Sequence, residues 1–135
     1  MFPSCLGASP DIQVNLLARR FNVNLNDLLV IHDDIDLPPG KIRISLNGGS
    51  GGHKGVDSII VYLESQDFLR IRIGIGRPTM IEDSGKINEA DIITYVLSDF
   101  TPDEKQVITQ VIPTVSEAIL CLITKGLEAA MNRYN

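Results

Sequence analysis

Apolar and polar residues follow two different periods along this chain, and together they predict a mixture of helices and strands. Residues 11–22 carry apolar side chains three and four positions apart, which predicts a short helix with one apolar face. The residues of that face are Val14, Leu17 and Phe21. Asp27–His32 is a short apolar run typical of a buried strand, and Lys41–Leu46 alternates polar and apolar residues as a half-buried strand does.

The second half of the chain continues this pattern. Asp57–Leu63 is predicted to form a helix, and Phe68–Gly76 alternates again as a strand. Thr101-Pro-Asp-Glu104 has the form of a capping box with proline at the first helical position, so a long helix should run from it to about Lys125. Gly126 interrupts this helix, and Leu127–Arg133 is predicted to add one or two helical turns.

The order of these elements predicts an α/β fold, a three-layer-like sandwich around a small mixed sheet, with residues 1–135 forming a single domain. Residues 79–90 are expected to be a polar connection, and Asp91–Leu97 a short helical segment. A sheet of three predicted strands is small for the amount of apolar helix surface that has to be buried against it. We therefore expect the fold to be incomplete at its amino terminus.

Composition narrows the class of protein. Apolar residues make up 44% of the chain and charged residues 21%, which is ordinary for a soluble globular domain. Cys5 and Cys121 match no metal-ligand spacing, which favours two reduced thiols in a cytosolic protein. Neither a signal peptide nor an apolar run long enough to span a membrane is expected.

The net charge of −5 argues against a generally basic nucleic-acid binder, but the charges are unevenly distributed. Residues 40–78 hold six basic and three acidic side chains, a balance of +3, against 6 basic and 14 acidic side chains, a balance of −8, elsewhere. This pattern fits a local phosphate contact, and chance clustering explains it equally well.

Three acidic residues, Asp33, Asp34 and Asp36, follow the strand that ends at His32. Ligands of open α/β sheets bind at the carboxyl ends of strands, where a carboxylate can orient an imidazole or bind a metal. A loop of solvated acidic residues is the simpler alternative. The residues alone do not decide between a carboxylate that orients an imidazole, a metal site and a solvated loop.

The next candidate is the glycine-rich loop Asn47–Gly55. Glycines allow a substrate to approach the backbone closely, and backbone N–H groups can bind a phosphate or a carboxyl oxygen. The spacing fits neither a Walker loop nor a dinucleotide motif, which disfavours a nucleotide-binding domain. His53 and Lys54 place a donor and a cation at the end of the loop. Arg70 and Arg72 should project from the opposite face to Leu69, as a solvent face or as a surface for a phosphorylated partner.

In combination these segments resemble the bacterial-type peptidyl-tRNA hydrolases. The resemblance is carried by motifs in the same order and spacing, from about Leu17 to Arg133. They are LLVIHDDIDLPPG ending at Gly40, GGSGGHKG ending at Gly55, FLRIRIGIGRP ending at Pro78, YVLSDF ending at Phe100 and GLEAAMNR ending at Arg133.

The resemblance implies a phosphorylase/hydrolase-like fold and hydrolysis of the ester between a peptide and tRNA, without a metal or an organic cofactor. In that family a histidine is the base toward water and an aspartate holds its imidazole; Asp33 matches the aspartate. His53 and Lys54 lie where the family contacts the tRNA terminus. Arg72 matches a basic residue that binds a tRNA phosphate, with Lys41 or Arg43 beside it. A cytoplasmic monomer acting on peptidyl-tRNA, away from membranes, is implied.

The chain also departs from the family pattern. Nothing matches the family's catalytic histidine or its Asn-Pro-Gly turn, so we expect the segment that carries them to be missing. The stretch Gly7–Asp11 lacks the family's substrate-binding asparagine, Lys54 replaces an asparagine, and Ser45 stands where a basic residue is common. His32 and His53 are not expected to replace the base. Two interpretations follow, an esterase whose base comes from another segment and a non-catalytic RNA- or protein-binding relative.

Overall fold

The computed structural model describes residues 10–77 and 102–135, and the predicted elements of this part of the chain are present. The connection 79–90, the segment Asp91–Leu97 and the cap at Thr101 lie outside it. The elements in chain order are helix α1 (Pro10–Arg20), a 3-10 turn (Leu25–Asp27), strands β1 (Leu29–Asp34) and β2 (Ile42–Leu46), helix α2 (Lys54–Leu63), strand β3 (Leu69–Gly74) and helices α3 (Pro102–Lys125) and α4 (Leu127–Tyr134).

The strands form a three-stranded sheet in the order β1-β3-β2. The N–H groups of Leu69 and Ile75 donate to the carbonyls of Leu28 and Asp34, so residue numbers rise together and β1 and β3 are parallel. The N–H of Gly74 donates to the carbonyl of Lys41, and that of Asn47 to Phe68, so β3 and β2 run antiparallel. The predicted α/β fold with a small mixed sheet is therefore confirmed.

The chain divides into two compact units, Met1–His32 with Ile44–Ile71, and Asp33–Arg43 with Arg72–Asn135. In the first unit α1 packs on α2, and three buried side chains form the centre of the core. They are Val56, Ile59 and Phe68, with Val14, Leu28, Val30, Ile60 and Leu63 packed around them. Burial of this apolar surface is the main force that stabilises the unit.

In the second unit α3 contacts α4 after a turn at Gly126, whose φ of +91° suits glycine. Apolar residues three and four positions apart put one apolar face on α3, and all of its residues are buried or half-buried. They are Val107, Val111, Val115, Ile119 and Leu122. Val111 and Val115 of this face are buried, and so are Ala118 and Cys121. The Cys121 thiol is free.

Several sequence predictions need correction. Leu17 and Phe21, predicted to face the core, are exposed, and of that face Val14 alone packs against the core cluster. β1 continues two residues beyond His32, so Asp33 and Asp34 belong to a strand and not to a loop. α2 begins at Lys54 and not near Asp57, because His53 caps it.

The expectation that no segment is long enough to span a membrane is also wrong by length and composition. α3 has 24 residues and a window of mean hydropathy 1.7, which is enough to cross a bilayer. The expectation came from counting uninterrupted apolar residues, whereas isolated polar residues lower the mean hydropathy of this helix only slightly. A core helix passes the same test, and four side chains of α3 are buried within the protein.

Candidate functional sites

The glycine loop runs directly into α2, and His53 joins the two. The Nδ1 atom of His53 accepts a hydrogen bond of 3.2 Å from the N–H of Val56, the bond that a helix N-cap makes to the first turn. The N–H of His53 donates to the Ser50 carbonyl, and the N–H of Gly52 donates to the Ser50 hydroxyl. The predicted substrate contact His53 is thereby held in one orientation, with Nδ1 occupied.

Two further side chains, those of His32 and Lys54, accompany His53 in the first unit. The ring of His32 meets that of His53 edge to face, with 4.9 Å between the ring centroids, and Nε2 of His32 is buried. Lys54, the first residue of α2, is exposed. The first unit therefore presents a cation beside a fixed imidazole at the start of α2. It also adds His32, which the sequence left out of the site.

Arg70 does not project into solvent as predicted; it is 2% exposed. Its guanidinium donates to the Gly49 carbonyl at 2.6 Å, the Gly48 carbonyl at 2.5 Å and the Gln66 carbonyl at 3.2 Å. It also lies 4.5 Å from the centroid of the Phe68 ring, a cation–π contact. The prediction of a solvent face or a ligand surface was wrong at Arg70 because the loop Asn47–Gly55 supplies acceptors to this side of β3.

In the second unit the central relationship is an ion pair. Nη1 of Arg72 donates to Oδ2 of Asp34 over 3.1 Å, and the two side chains are 31% and 12% exposed. The sequence motifs indicated a phosphate contact for Arg72 and left Asp34 as one of three acidic candidates. The pairing could have been predicted from the strands. Asp34 and Arg72 lie on adjacent parallel strands, and their positions in the alternating pattern put both side chains on the same face.

The segment after β1 is held close to the end of β3. The N–H groups of Gly40 and Gly76 complete backbone hydrogen bonds across this contact, to Gly74 and Leu37. A Cβ atom at Gly74 would overlap the Pro38 carbonyl oxygen and lie 2.9 Å from that of Leu37, so this position requires glycine for space.

Asp36, in the same segment, accepts two hydrogen bonds from Arg77, from Nε at 3.0 Å and from Nη2 at 2.5 Å. Both side chains are more than half exposed. Asp34 and Asp36 thus each carry an arginine partner. In the part of the chain that the structure describes, no group of three or more His, Cys, Asp or Glu side chains is arranged to hold a metal ion.

The remaining predicted residues are also in the second unit. Asp33 is half-buried in β1, and because successive strand residues project to opposite faces, it lies on the other side of the sheet from Asp34. Arg43 of β2 and Lys41 just before it are exposed. The antiparallel register places Arg43 opposite Arg72, so two guanidinium groups share one face here.

With this geometry in hand, the relationship of the chain to known proteins is clear. Residues 11–135 match the family model described as Peptidyl-tRNA hydrolase. The chain is 43% identical over 122 residues to a peptidyl-tRNA hydrolase of Dehalococcoides mccartyi, covering 90% of this chain and 62% of that protein. It is 45% identical over 122 residues to one of Syntrophomonas wolfei, covering 90% and 61%.

The structure agrees with these sequence matches. The crystal structure of peptidyl-tRNA hydrolase from Acinetobacter baumannii is similar with a TM-score of 0.77 and 27% sequence identity, over 90% of this chain and 58% of that one. This α/β protein is therefore a member of a family of hydrolases. It belongs to the peptidyl-tRNA hydrolase family, and it spans 62% of the length of the first curated relative.

Proposed function

We propose that this chain forms the substrate-binding part of an enzyme that hydrolyses the ester between a peptide and tRNA. The observation that carries the proposal is the family match over residues 11–135, which includes the glycine loop, Asp33 and Arg72 in one continuous alignment. In the reaction water attacks the ester carbonyl, the bond from the carbonyl carbon to the ribose oxygen breaks, and the peptide acid and the free tRNA terminus leave.

Asp33 has the role of orienting carboxylate in this proposal. It fixes the tautomer of a histidine and stabilises the imidazolium that forms when the ring takes a proton from water. His53 is not that base, because its Nδ1 already accepts the cap bond from Val56. The base is supplied by a segment that the motifs of this chain do not include, and the reaction needs neither metal nor organic cofactor.

The two clusters have separate tasks. His53 and Lys54 contact the tRNA terminus, where the fixed imidazole and the exposed ammonium meet polar groups of the last nucleotides. Arg72, with Arg43 opposite it and Lys41 beside the strand, binds a phosphate of the acceptor stem. Asp34 reduces the net positive charge of this second cluster and limits its affinity for RNA in general.

The proposal also covers the oligomeric state, the compartment and the partner of the protein. The proposed protein is a single-domain monomer in the cytoplasm, with peptidyl-tRNA as its partner and no association with membranes. The excess of acidic residues outside 40–78 supports selective over general RNA binding, since like charges repel the phosphate backbone away from the basic cluster.

A binding experiment tests this division of tasks. We expect the 135-residue chain to bind a tRNA acceptor minihelix, and a Lys41→Ala/Arg43→Ala variant to bind it more weakly with a reduced salt dependence. A Lys125→Ala/Arg133→Ala variant removes the same charge from α3 and α4 and serves as control. Equal loss of affinity in both variants would mean that net charge alone governs binding, and would count against the proposed cluster.

The alternative, a non-catalytic RNA- or protein-binding relative, is favoured by one observation. The chain has two histidines, and neither matches the family base by motif. Both interpretations predict RNA binding by this chain. They differ in whether cleavage appears when the family's amino-terminal segment is supplied.

A further inference from the structure

Arg70 has no task in the proposed function, yet it is the one charged residue found buried among residues 13–77 and 102–135. A buried guanidinium is costly unless its N–H groups are paired. Here the fork of Nη1 and Nη2 spans two consecutive carbonyls, Gly49 and Gly48, and Nη2 also reaches Gln66. The Phe68 ring, itself fully buried, covers the guanidinium.

The segment that Arg70 contacts is rich in residues with positive φ angles. Asn47, Gly48, Gly51 and Gly52 have φ angles between 61° and 103°. Glycines reach many backbone conformations, so holding such a loop in one of them costs conformational entropy. Hydrogen bonds from a buried charged donor are strong enough to select one conformation.

The loop is therefore fixed at two points. Arg70 holds the carbonyls of Gly48 and Gly49, and the N-cap bond of His53 holds the other end on α2. Ser50 lies between these points and accepts from the N–H of Gly52 and of His53. Residues 50–52 therefore connect two ends that are both held by hydrogen bonds.

We propose that Arg70 is a positioning residue, which holds the glycine loop in the conformation that receives the tRNA terminus. This inference rests on the proposed function, because it concerns the same loop and His53. The fork is essential: lysine keeps the charge, but its three donors diverge from one nitrogen and do not reproduce the planar pair of nitrogens that reaches both carbonyls. A residue that served the core alone would affect the stability of the whole unit and leave the loop conformation unchanged.

The direct test is NMR spectroscopy of the labelled 135-residue chain. In the native protein we expect the Arg70 Nη–H signals to be separate and slowly exchanging, because the fork is held by carbonyls on both sides. A single averaged Nη–H signal would overturn the assignment without any variant. This measurement also covers the case in which variants of Arg70 fail to fold.

The matched variants are Arg70→Lys and, on the exposed surface of α1, Arg19→Lys. Both are compared where a urea titration shows the protein to be folded. We expect Arg70→Lys to raise the amide exchange rates of residues 48–52 at least tenfold while those of α3 and α4 stay unchanged. Arg19→Lys should change neither. Exchange rates in the loop that are equal in both variants would overturn the inference.

Binding then separates this inference from the proposed function. The probe is the trinucleotide CCA with acetyl-phenylalanine joined to its terminal ribose by an amide, which cannot be hydrolysed as an ester. Arg70→Lys should weaken its binding at least tenfold but leave binding of a minihelix without CCA unchanged. If the native chain fails to bind the probe, the proposed contact with the tRNA terminus is wrong, while loop exchange still decides the role of Arg70. If both proteins bind it equally, the positioning role is wrong.

Discussion

Arg72 and Asp34 form an ion pair of 3.1 Å on one face of the sheet, with both side chains more than two thirds buried. Arg72 is thus held in place before any ligand arrives. An arginine that is already oriented loses less side-chain entropy when a phosphate binds. In the proposed function, the pair keeps one cation of an acidic protein oriented for a tRNA phosphate.

Substitution of Arg72 by alanine should weaken binding of a tRNA minihelix in a salt-dependent manner. Loss of one phosphate contact lowers the slope of log affinity against log salt by about one unit. Fluorescence anisotropy across a salt series measures this slope. Arg133→Ala removes an arginine from α4 and should leave the slope as it is; an unchanged affinity of Arg72→Ala at low salt would count against the phosphate contact.

Substitution of Asp34 by asparagine should destabilise the protein, because a half-buried guanidinium loses its counter-charge. We expect the free energy of unfolding to fall by about 1–2 kcal/mol, less than for a fully buried pair. Asp36→Asn breaks an exposed pair with Arg77 and should cost about 0.5 kcal/mol or less. Urea titration of both variants compares them, and equal losses would show that the environment of Asp34 is no less hydrated than that of Asp36.

Replacement of His53 by alanine should remove the N-cap of α2 and lower the free energy of unfolding by about 1 kcal/mol. Asparagine at the same position keeps an acceptor for the N–H of Val56 and should recover most of this loss. Thermal unfolding of the two variants gives the comparison. If His53→Asn is as unstable as His53→Ala, the ring contact with His32 matters more than the cap.

Gly74→Ala should be the most damaging of the small substitutions, since the added Cβ has no space beside the Pro38 carbonyl. Overpacking against backbone leads us to expect a loss of about 3 kcal/mol. Gly49→Ala is the control, because a Cβ there meets no atom within 4 Å. A Gly74→Ala protein as stable as Gly49→Ala in urea would mean that the segment before β2 is not packed on β3.

The purified chain should bind the dye anilinonaphthalene sulfonate. Large apolar side chains are exposed in both units, among them Phe21 at 68%, Val61 at 71% and Ile123 at 76%. Exposed apolar side chains of this size offer binding sites for hydrophobic dyes. Dye fluorescence at the level of a well-packed control protein, in a compact monomer, would contradict this expectation.

Local sequence patterns predicted most elements of the fold because those elements are stabilised locally. α3 follows a helical apolar repeat and ends at Gly126, and β2 and β3 alternate as strands do. The start of α2 was missed by three residues, since histidine is not among the residues usually found at an N-cap. The end of β1 was missed because three acids and two prolines in succession indicate a loop.

The candidate site was predictable where it depended on motifs and not where it depended on distant contacts. Motif resemblance put forward Asp33, His53 and Arg72 as candidates. The burial of Arg70 depends on carbonyls 21 and 22 positions away, and the partner of Arg72 lies 38 positions away. No local period encodes such contacts. Strand pairing creates these contacts. Because the side chains of Asp34 and Arg72 lie on the same face of two paired strands, knowledge of that pairing would have indicated Asp34 as the partner.

The most direct test of the proposed function is single-turnover cleavage of peptidyl-tRNA. The 135-residue chain is compared with the same chain extended by the amino-terminal segment of the Dehalococcoides mccartyi relative, and with Asp33→Asn in the extended protein. We expect cleavage by the extended protein, strong loss of cleavage with Asp33→Asn, and none by the 135-residue chain. A folded extended protein that binds tRNA but does not cleave it, or cleavage unaffected by Asp33→Asn, would contradict the proposal.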